Sequence, residues 1–169
     1  MDPNLENNKD FIGKLHDFYN LNKLKIGILI SVLFIVIISL FFFEKKNERT
    51  NILIAEKYVQ ASLYLSSNKN KNAKLIFEEI ILSKNKFYSI LALNIIIEKD
   101  LVKNEDKVLS YFKILENLDY SEEKKDLISF KKALYLLKNN KKEEGNFLLE
   151  VLIKKNSNFK SLAKDALEN

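Results

Sequence analysis

Residues 26–43 read IGILISVLFIVIISLFFF, a run of 18 side chains that are all apolar, glycine or serine. As an α-helix, a run of this length extends about 27 Å, which matches the hydrocarbon core of a bilayer. A helix also satisfies every backbone polar group within the segment, as the bilayer interior requires. Leu24 and Lys25 can lengthen the run, and the sequence therefore predicts a transmembrane helix over residues 24–43.

A cleaved signal peptide or a buried soluble helix can also contain an apolar run. A signal peptide has a shorter apolar stretch that ends in a small-x-small site, whereas this run ends in FFFE at residues 41–44. A buried soluble helix rarely lacks charge over 18 residues. We expect a retained anchor between a polar tail, residues 1–23, and a domain, residues 44–169. His16 of the tail has no second ligand nearby, so we expect it to be exposed and to bind no metal.

The charges that flank the span do not fix its orientation. Lys and Arg residues close to the membrane set topology, and they tie here, with Lys9, Lys14, Lys23 and Lys25 before the span and Lys45, Lys46, Arg49 and Lys57 after it. A short tail kept inside with a long exported domain is a common arrangement, because long domains translocate largely regardless of charge. The residues alone leave both orientations open.

The composition excludes several classes of function. The chain has no Cys, which rules out disulfides, thiol catalysis and zinc–thiolate sites. The net charge is +5, but Arg49 is the only Arg and the Lys residues alternate with acids, so we expect no nucleic-acid partner. The sequence lacks a nucleophile–base set and a phosphate-binding Gly loop, and its acidic pairs alternate with Lys at Glu78-Glu79, Glu122-Glu123 and Glu143-Glu144. We therefore expect neither enzymatic activity nor a cofactor.

Beyond residue 49 the apolar residues follow a helical period, which predicts an all-α domain. Polar breaks separate the predicted helices at residues 67–72, 83–86, 103–105, 118–122, 139–142 and 156–158. Helices begin near residues 51, 87 and 121, so helix–turn–helix units recur about every 35 residues, which is typical of a solenoid. An irregular helical bundle is the alternative.

Small and bulky residues recur at matching offsets in these units. The matching sets are Ala61, Ala73, Phe77 and Ile80 in the first unit and Ala133, Gly145, Leu149 and Leu152 in the third. This pattern resembles the tetratricopeptide repeat, in which small residues let paired helices approach closely and bulky ones fill the gap to the next hairpin. The middle unit departs from it, because Ile97 and Leu109 occupy the positions where small residues are expected.

The whole chain resembles the ancillary subunit of the bacterial Sec translocon, a family with one N-terminal span and a tetratricopeptide-like domain. Residues 88–92 (YSILA) are similar to that family's Tyr-Gly-x-Leu-Ala, which opens a hairpin, and residues 103–105 (KNE) form the following turn. Residues 127–150 are similar to its next hairpin. Residues 159–167 are similar to a terminal closing helix.

The resemblance implies a single-pass protein of the bacterial inner membrane, with its domain in the periplasm and without catalytic residues. The implied partners are the Sec translocon, a periplasmic chaperone and exported polypeptides, with membrane lipid around residues 24–43. A structural tether whose domain lies in the cytosol is the alternative. Homo-oligomerisation also stays open.

Helical solenoids bind partners on the concave face that the first helix of each hairpin lines. The residues predicted to point to that face are Tyr58, Ser62, Asn94, Glu98, Phe130 and Lys138. Tyr58 and Phe130 are equally compatible with a place in the core. The sequence thus predicts a protein-binding surface on the first helices of the hairpins.

Overall fold

The computed structural model describes the backbone of residues 3–168 and the side chains of His16 and of residues 21–25, 27–39 and 48–168. Over the described backbone the chain forms α-helices and no strand, which confirms the predicted all-α class. The chain divides into two compact units, Met1–Arg49 and Thr50–Asn169. Within the predicted polar tail, His16 is exposed, and most of the other tail side chains lie outside the described residues.

Helix α1 spans Pro3–Ser66 and supplies the described part of the Met1–Arg49 unit. Its segment Leu21–Ser39 is long and apolar enough to cross a membrane, and a signal sequence near the N-terminus has the same character. The described apolar side chains of this segment are exposed rather than packed in a core; Leu33, for example, is 60% exposed. Residues 40–43 of the predicted span lie outside the described side chains.

Two serines interrupt the apolar surface of this segment without leaving a free hydroxyl. Ser31 Oγ donates to the carbonyl oxygen of Gly27 at 2.9 Å, and Ser39 Oγ donates to that of Ile35 at 2.8 Å. Each hydroxyl is therefore satisfied by the preceding turn of its own helix. This arrangement suits an apolar environment, where an unpaired hydroxyl would be costly.

The Thr50–Asn169 unit contains the end of α1 and six further helices. They are α2 (Asn70–Leu82), α3 (Tyr88–Glu98), α4 (Glu105–Glu116), α5 (Glu122–Lys138), α6 (Lys142–Lys154) and α7 (Lys160–Glu168). Each polar break predicted from the sequence overlaps a loop between two of these helices. The closing helix expected near residues 159–167 is α7, whose Ala163 is fully buried.

Several helices end with a residue in the left-handed conformation, a place that glycine usually fills. These residues are Asn68, Lys84, Asp100, Asn140 and Asn156, with φ between 50° and 63°. After α5, the Lys141 N–H donates to the Leu136 carbonyl oxygen at 2.9 Å, which is the closing bond of a Schellman motif. Asn and Asp tolerate this conformation better than most side chains. The turns can therefore be tight although the chain has only three glycines.

The core repeats one pattern of buried positions in three successive hairpins. The sets, each at relative positions 0, 12, 16 and 19, are Ala61, Ala73, Phe77 and Ile80; Ile96, Val108, Phe112 and Leu115; and Ala133, Gly145, Leu149 and Leu152. Every member is buried. Because these positions lie on one stripe of each helix, the two helices of a hairpin pack along them.

The middle set corrects the register expected from the sequence by one residue. Ile97 and Leu109, expected to occupy the close-contact positions, are only half-buried, whereas Ile96 and Val108 are buried. The spacing between hairpins is therefore not constant: Ile96 lies 35 residues after Ala61, and Ala133 lies 37 residues after Ile96. A shift of one residue turns a helix face by about 100°, so this correction decides which side chains face outward.

Polar side chains also join successive hairpins. Asn85 Nδ2 donates to Asn51 Oδ1 at 2.7 Å, and Lys141 Nζ lies 2.7 Å from Glu105 Oε1. Buried Ser89 donates its hydroxyl to the Ile80 carbonyl oxygen at 2.9 Å, and the Ser83 hydroxyl donates to the same oxygen at 2.6 Å, so this acceptor at the end of α2 is paired. These links hold α3 and α5 in fixed positions for the groove described next.

Candidate protein-binding groove

A groove of about 390 Å³ lies between α3 and α5. Its lining residues are Asn94, Ile97 and Glu98 from α3 and Lys131, Leu134, Tyr135 and Lys138 from α5. On each helix these positions follow an i, i+3, i+4 pattern, which continues to i+7 on α5, so they share one face. The opposite faces carry the buried residues Ile96 and Ala133. Core packing thus presents the lining side chains side by side.

Apolar side chains form the centre of the groove. Leu134 is 41% exposed, and Ile97 and Tyr135 are half-buried. The Tyr135 ring packs against Phe112, with 5.9 Å between the ring centroids. Burial, with a smaller contribution from the carboxylates of Glu105 and Asp100, raises the pKa of Tyr135 above its usual value. The phenol therefore stays neutral and offers an apolar face with one hydrogen-bonding group.

The charge that remains uncompensated in the groove is positive. Glu98 is neutralised by Lys99, whose Nζ lies 2.7 Å away, and this hydrogen bond lowers the pKa of Glu98. Over the described residues, neither Lys131 nor Lys138 forms a salt bridge. By contrast, Lys132, the neighbour of Lys131, lies 2.8 Å from a Glu116 oxygen.

Asp100 is a carboxylate whose pKa is lowered in part by the charge of Lys138. Its pKa is lowered mainly by a hydrogen bond from Lys103, and Lys138 adds only a smaller electrostatic contribution. The Lys103 ammonium group already forms a salt bridge with the Asp100 carboxylate. Lys138 is thus left with its ammonium group available to a ligand.

The structure brings three of the six predicted binding residues together in this groove, namely Asn94, Glu98 and Lys138. The side chains of Tyr58, Ser62 and Phe130 do not line it. A role in binding stays a prediction for all six, because contacts within the chain do not test it.

The other three predicted residues make contacts within the domain. The half-buried Tyr58 ring packs edge-on against Phe77, with 5.7 Å between centroids. Ser62 Oγ donates to the Tyr58 carbonyl oxygen at 2.9 Å. Phe130 stacks on Phe159, with 5.6 Å between centroids, and joins a core cluster that includes Ala133. For Tyr58 and Phe130, core packing was the alternative left open by the sequence.

Sequence reasoning missed Ile97, Lys131, Leu134 and Tyr135 as groove residues. The missing signal was the 37-residue spacing between the second and third hairpins. Adding 37 to Asn94, Ile97 and Glu98 gives Lys131, Leu134 and Tyr135, whereas a constant spacing of 36 gives Phe130. The longer spacing could have been found from the sequence only by aligning Ile96 rather than Ile97 with Ala133.

A second groove, of about 360 Å³, lies between α5 and α6. Its lining residues are Lys132, Leu136, Glu143, Glu144, Phe147 and Leu148. Phe147 is exposed, but the Lys132 ammonium is already paired with Glu116. The lysine that lines this groove therefore already has a salt-bridge partner, unlike Lys131 and Lys138 in the groove between α3 and α5, which have none among the described residues.

The described residues contain no group of three or more His, Cys, Asp or Glu side chains that could hold a metal ion. The groove between α3 and α5 presents apolar surface, an amide, a phenol and ammonium groups. Such a set can bind a ligand by burial, hydrogen bonds and charge pairing. Comparison with protein-family models, with curated proteins and with solved structures found no match to this chain.

Proposed function

We propose that the chain is a membrane-anchored module that binds other proteins in the groove between α3 and α5. The observation that carries this proposal is the groove itself, where exposed Leu134 and half-buried Ile97 lie between side chains with hydrogen-bonding and charged groups. Apolar surface with a polar rim is the usual composition of a protein-binding site. The ligand is held without chemical turnover.

In this proposal the Thr50–Asn169 unit is a degenerate tetratricopeptide-like solenoid. Its support is the buried pattern at relative positions 0, 12, 16 and 19 in three hairpins. In a solenoid each repeat packs only on its neighbours, and the first helices of the hairpins line a common binding surface. Asn94 of α3 and Lys131 of α5 occupy equivalent positions on such a surface.

The anchor in this proposal is the apolar helix, with residues 24–43 in the bilayer. Because the segment Leu21–Ser39 exposes its apolar side chains, a lipid environment would bury surface that water disfavours. The resemblance to the Sec translocon's ancillary subunit favours an inner-membrane protein with a periplasmic domain. Its partners would then be the translocon, a periplasmic chaperone and exported polypeptides.

Leu134→Glu should weaken the association of the full-length chain with its protein partners by about tenfold or more. The substitution replaces the apolar centre of the groove with a carboxylate that a bound partner would have to desolvate, at a cost of about 1–3 kcal/mol. The measurement is quantitative co-purification of translocon subunits and chaperones from detergent-solubilised membranes. Leu75→Glu is the matched control, since Leu75 is similarly exposed on α2 and lies outside the groove. Equal recovery with both variants would contradict the proposal.

A further inference from the structure

The exposed apolar residues Val59 and Leu63 of α1 occupy the groove positions of the first hairpin. The 35-residue spacing from Ala61 to Ile96 relates Val59 to Asn94 and Leu63 to Glu98. Val59 is 58% exposed and Leu63 is 63% exposed, on the face of α1 opposite the buried Ala61. An apolar pair at these positions has no role in the core.

Helix α1 lies beside α3, so this apolar pair belongs to the same surface as the groove. The rings of Tyr58 in α1 and Tyr88 in α3 pack with 5.6 Å between their centroids. The first helices of the three hairpins thus follow in the order α1, α3 and α5. The groove surface changes along this order from apolar, at Val59 and Leu63, to positive, at Lys131 and Lys138.

Within the part of the chain that the structure describes, the two groove lysines, Lys131 and Lys138, lack the interhelical ion pairs that several other lysines of the domain form. Lys107, Lys132 and Lys141 each lie within 2.8 Å of a carboxylate oxygen on a neighbouring helix. Lys131 and Lys138 form no such bridge over the described residues, and Lys131 is half-buried. A half-buried ammonium group gains from an anionic partner, because burial weakens its hydration.

We propose that this surface holds an extended protein segment with apolar side chains on α1 and acidic side chains on α5. This inference rests on the proposed function and adds the chemistry of the ligand. Packed helices lie about 8–10 Å apart, so the path from α1 to α5 is about 16–20 Å. An extended chain advances about 3.3–3.6 Å per residue, and the segment is therefore about six residues long. Acidic side chains pair with Lys131 and Lys138, and apolar side chains cover Val59 and Leu63.

The test uses the full-length chain in detergent micelles and fluorescein-labelled hexapeptides that are amidated at the C-terminus. The first peptide has three apolar residues followed by three acidic residues, and the second has the corresponding amides in place of the acids. Fluorescence anisotropy should give about tenfold tighter binding for the acidic peptide at low salt, and the difference should shrink as salt rises. A third peptide, amide-containing but with a free C-terminal carboxylate, separates a terminal carboxylate from acidic side chains. Equal affinity of the first and third peptides would contradict the assignment to side chains.

Variants of the chain test which lysines cause the preference for the acidic peptide. Lys131→Met with Lys138→Met should abolish the preference for the acidic peptide, whereas Lys132→Met, which removes a lysine already paired with Glu116, should preserve it. Leu63→Ser should weaken binding of the acidic and amide peptides alike. Acidic preference that survives in the Lys131→Met, Lys138→Met chain would overturn the inference. Equal binding of acidic and amide peptides would overturn it but leave the proposed function standing, and absence of binding by every peptide would contradict both.

Discussion

Ala133→Phe should lower the thermal midpoint of the chain by about 5 °C or more. Ala133 is fully buried where α5 meets α6, and a Cβ added to the facing Gly145 would lie 3.0 Å from the Ala133 carbonyl oxygen. It would also lie 2.8 Å from the Leu137 side chain, so the contact has no room for an aromatic ring. Overpacking of this kind costs about 1–3 kcal/mol or more, which corresponds to the stated shift for a domain of this size.

The measurement is helical circular dichroism of the full-length chain in detergent micelles as temperature rises. Leu134→Phe is the matched control, because it introduces the same side chain one residue further along α5 at a position that is 41% exposed. We expect its midpoint to stay within about 2 °C of the wild type, as surface substitutions usually do. An unchanged midpoint in Ala133→Phe would show that α5 and α6 do not pack in this register.

Leu33→Arg combined with Ile37→Arg should release the chain from the membrane. Both side chains are exposed in the apolar segment of α1, and each charge near the centre of a membrane helix costs about 2.5–3.5 kcal/mol. Immunodetection in carbonate-washed membranes and in the soluble fraction measures the change. Leu33→Ala with Ile37→Ala should remain with the membrane, because alanine adds no charge.

The same fractionation separates an anchor from a signal sequence. The intact mass of the membrane-extracted wild-type chain should be that of all 169 residues. A chain that begins near Glu44 would mean that the apolar helix is removed. Retention of the arginine variant in the washed membrane would mean that other residues hold the chain there.

Much of the helical architecture could be predicted from the sequence, because it depends on local signals. The polar breaks placed each interhelical loop, and the small residues Ala61, Ala73, Ala133 and Gly145 marked the first and third hairpins. These residues can be recognised in the sequence because a close helix contact leaves no room for a larger side chain. The apolar run of α1 could also be recognised directly from the sequence.

The middle hairpin and four of the seven groove residues could not be predicted in this way. Its contact positions hold Ile96 and Val108, which look like ordinary core residues and do not mark a register. The spacing between hairpins changes from 35 to 37 residues because Ala133 lies further into α5 than Ile96 lies into α3. As a result, Phe130 packs on Phe159 and Lys131 lines the groove. Tertiary packing fixes this rotation, and a constant period misses it.

Photo-crosslinking in living cells tests the central claim, that this chain binds proteins through the groove between α3 and α5. Photoreactive side chains at Asn94 and Glu98 report on the groove, and one at Leu75, which is 58% exposed on α2, serves as the control. We predict that both groove positions crosslink to translocon subunits, chaperones or polypeptides in export, and that Leu75 gives few such products. Crosslinks from the groove only to lipid or to a second copy of the chain would contradict the account and favour a structural tether.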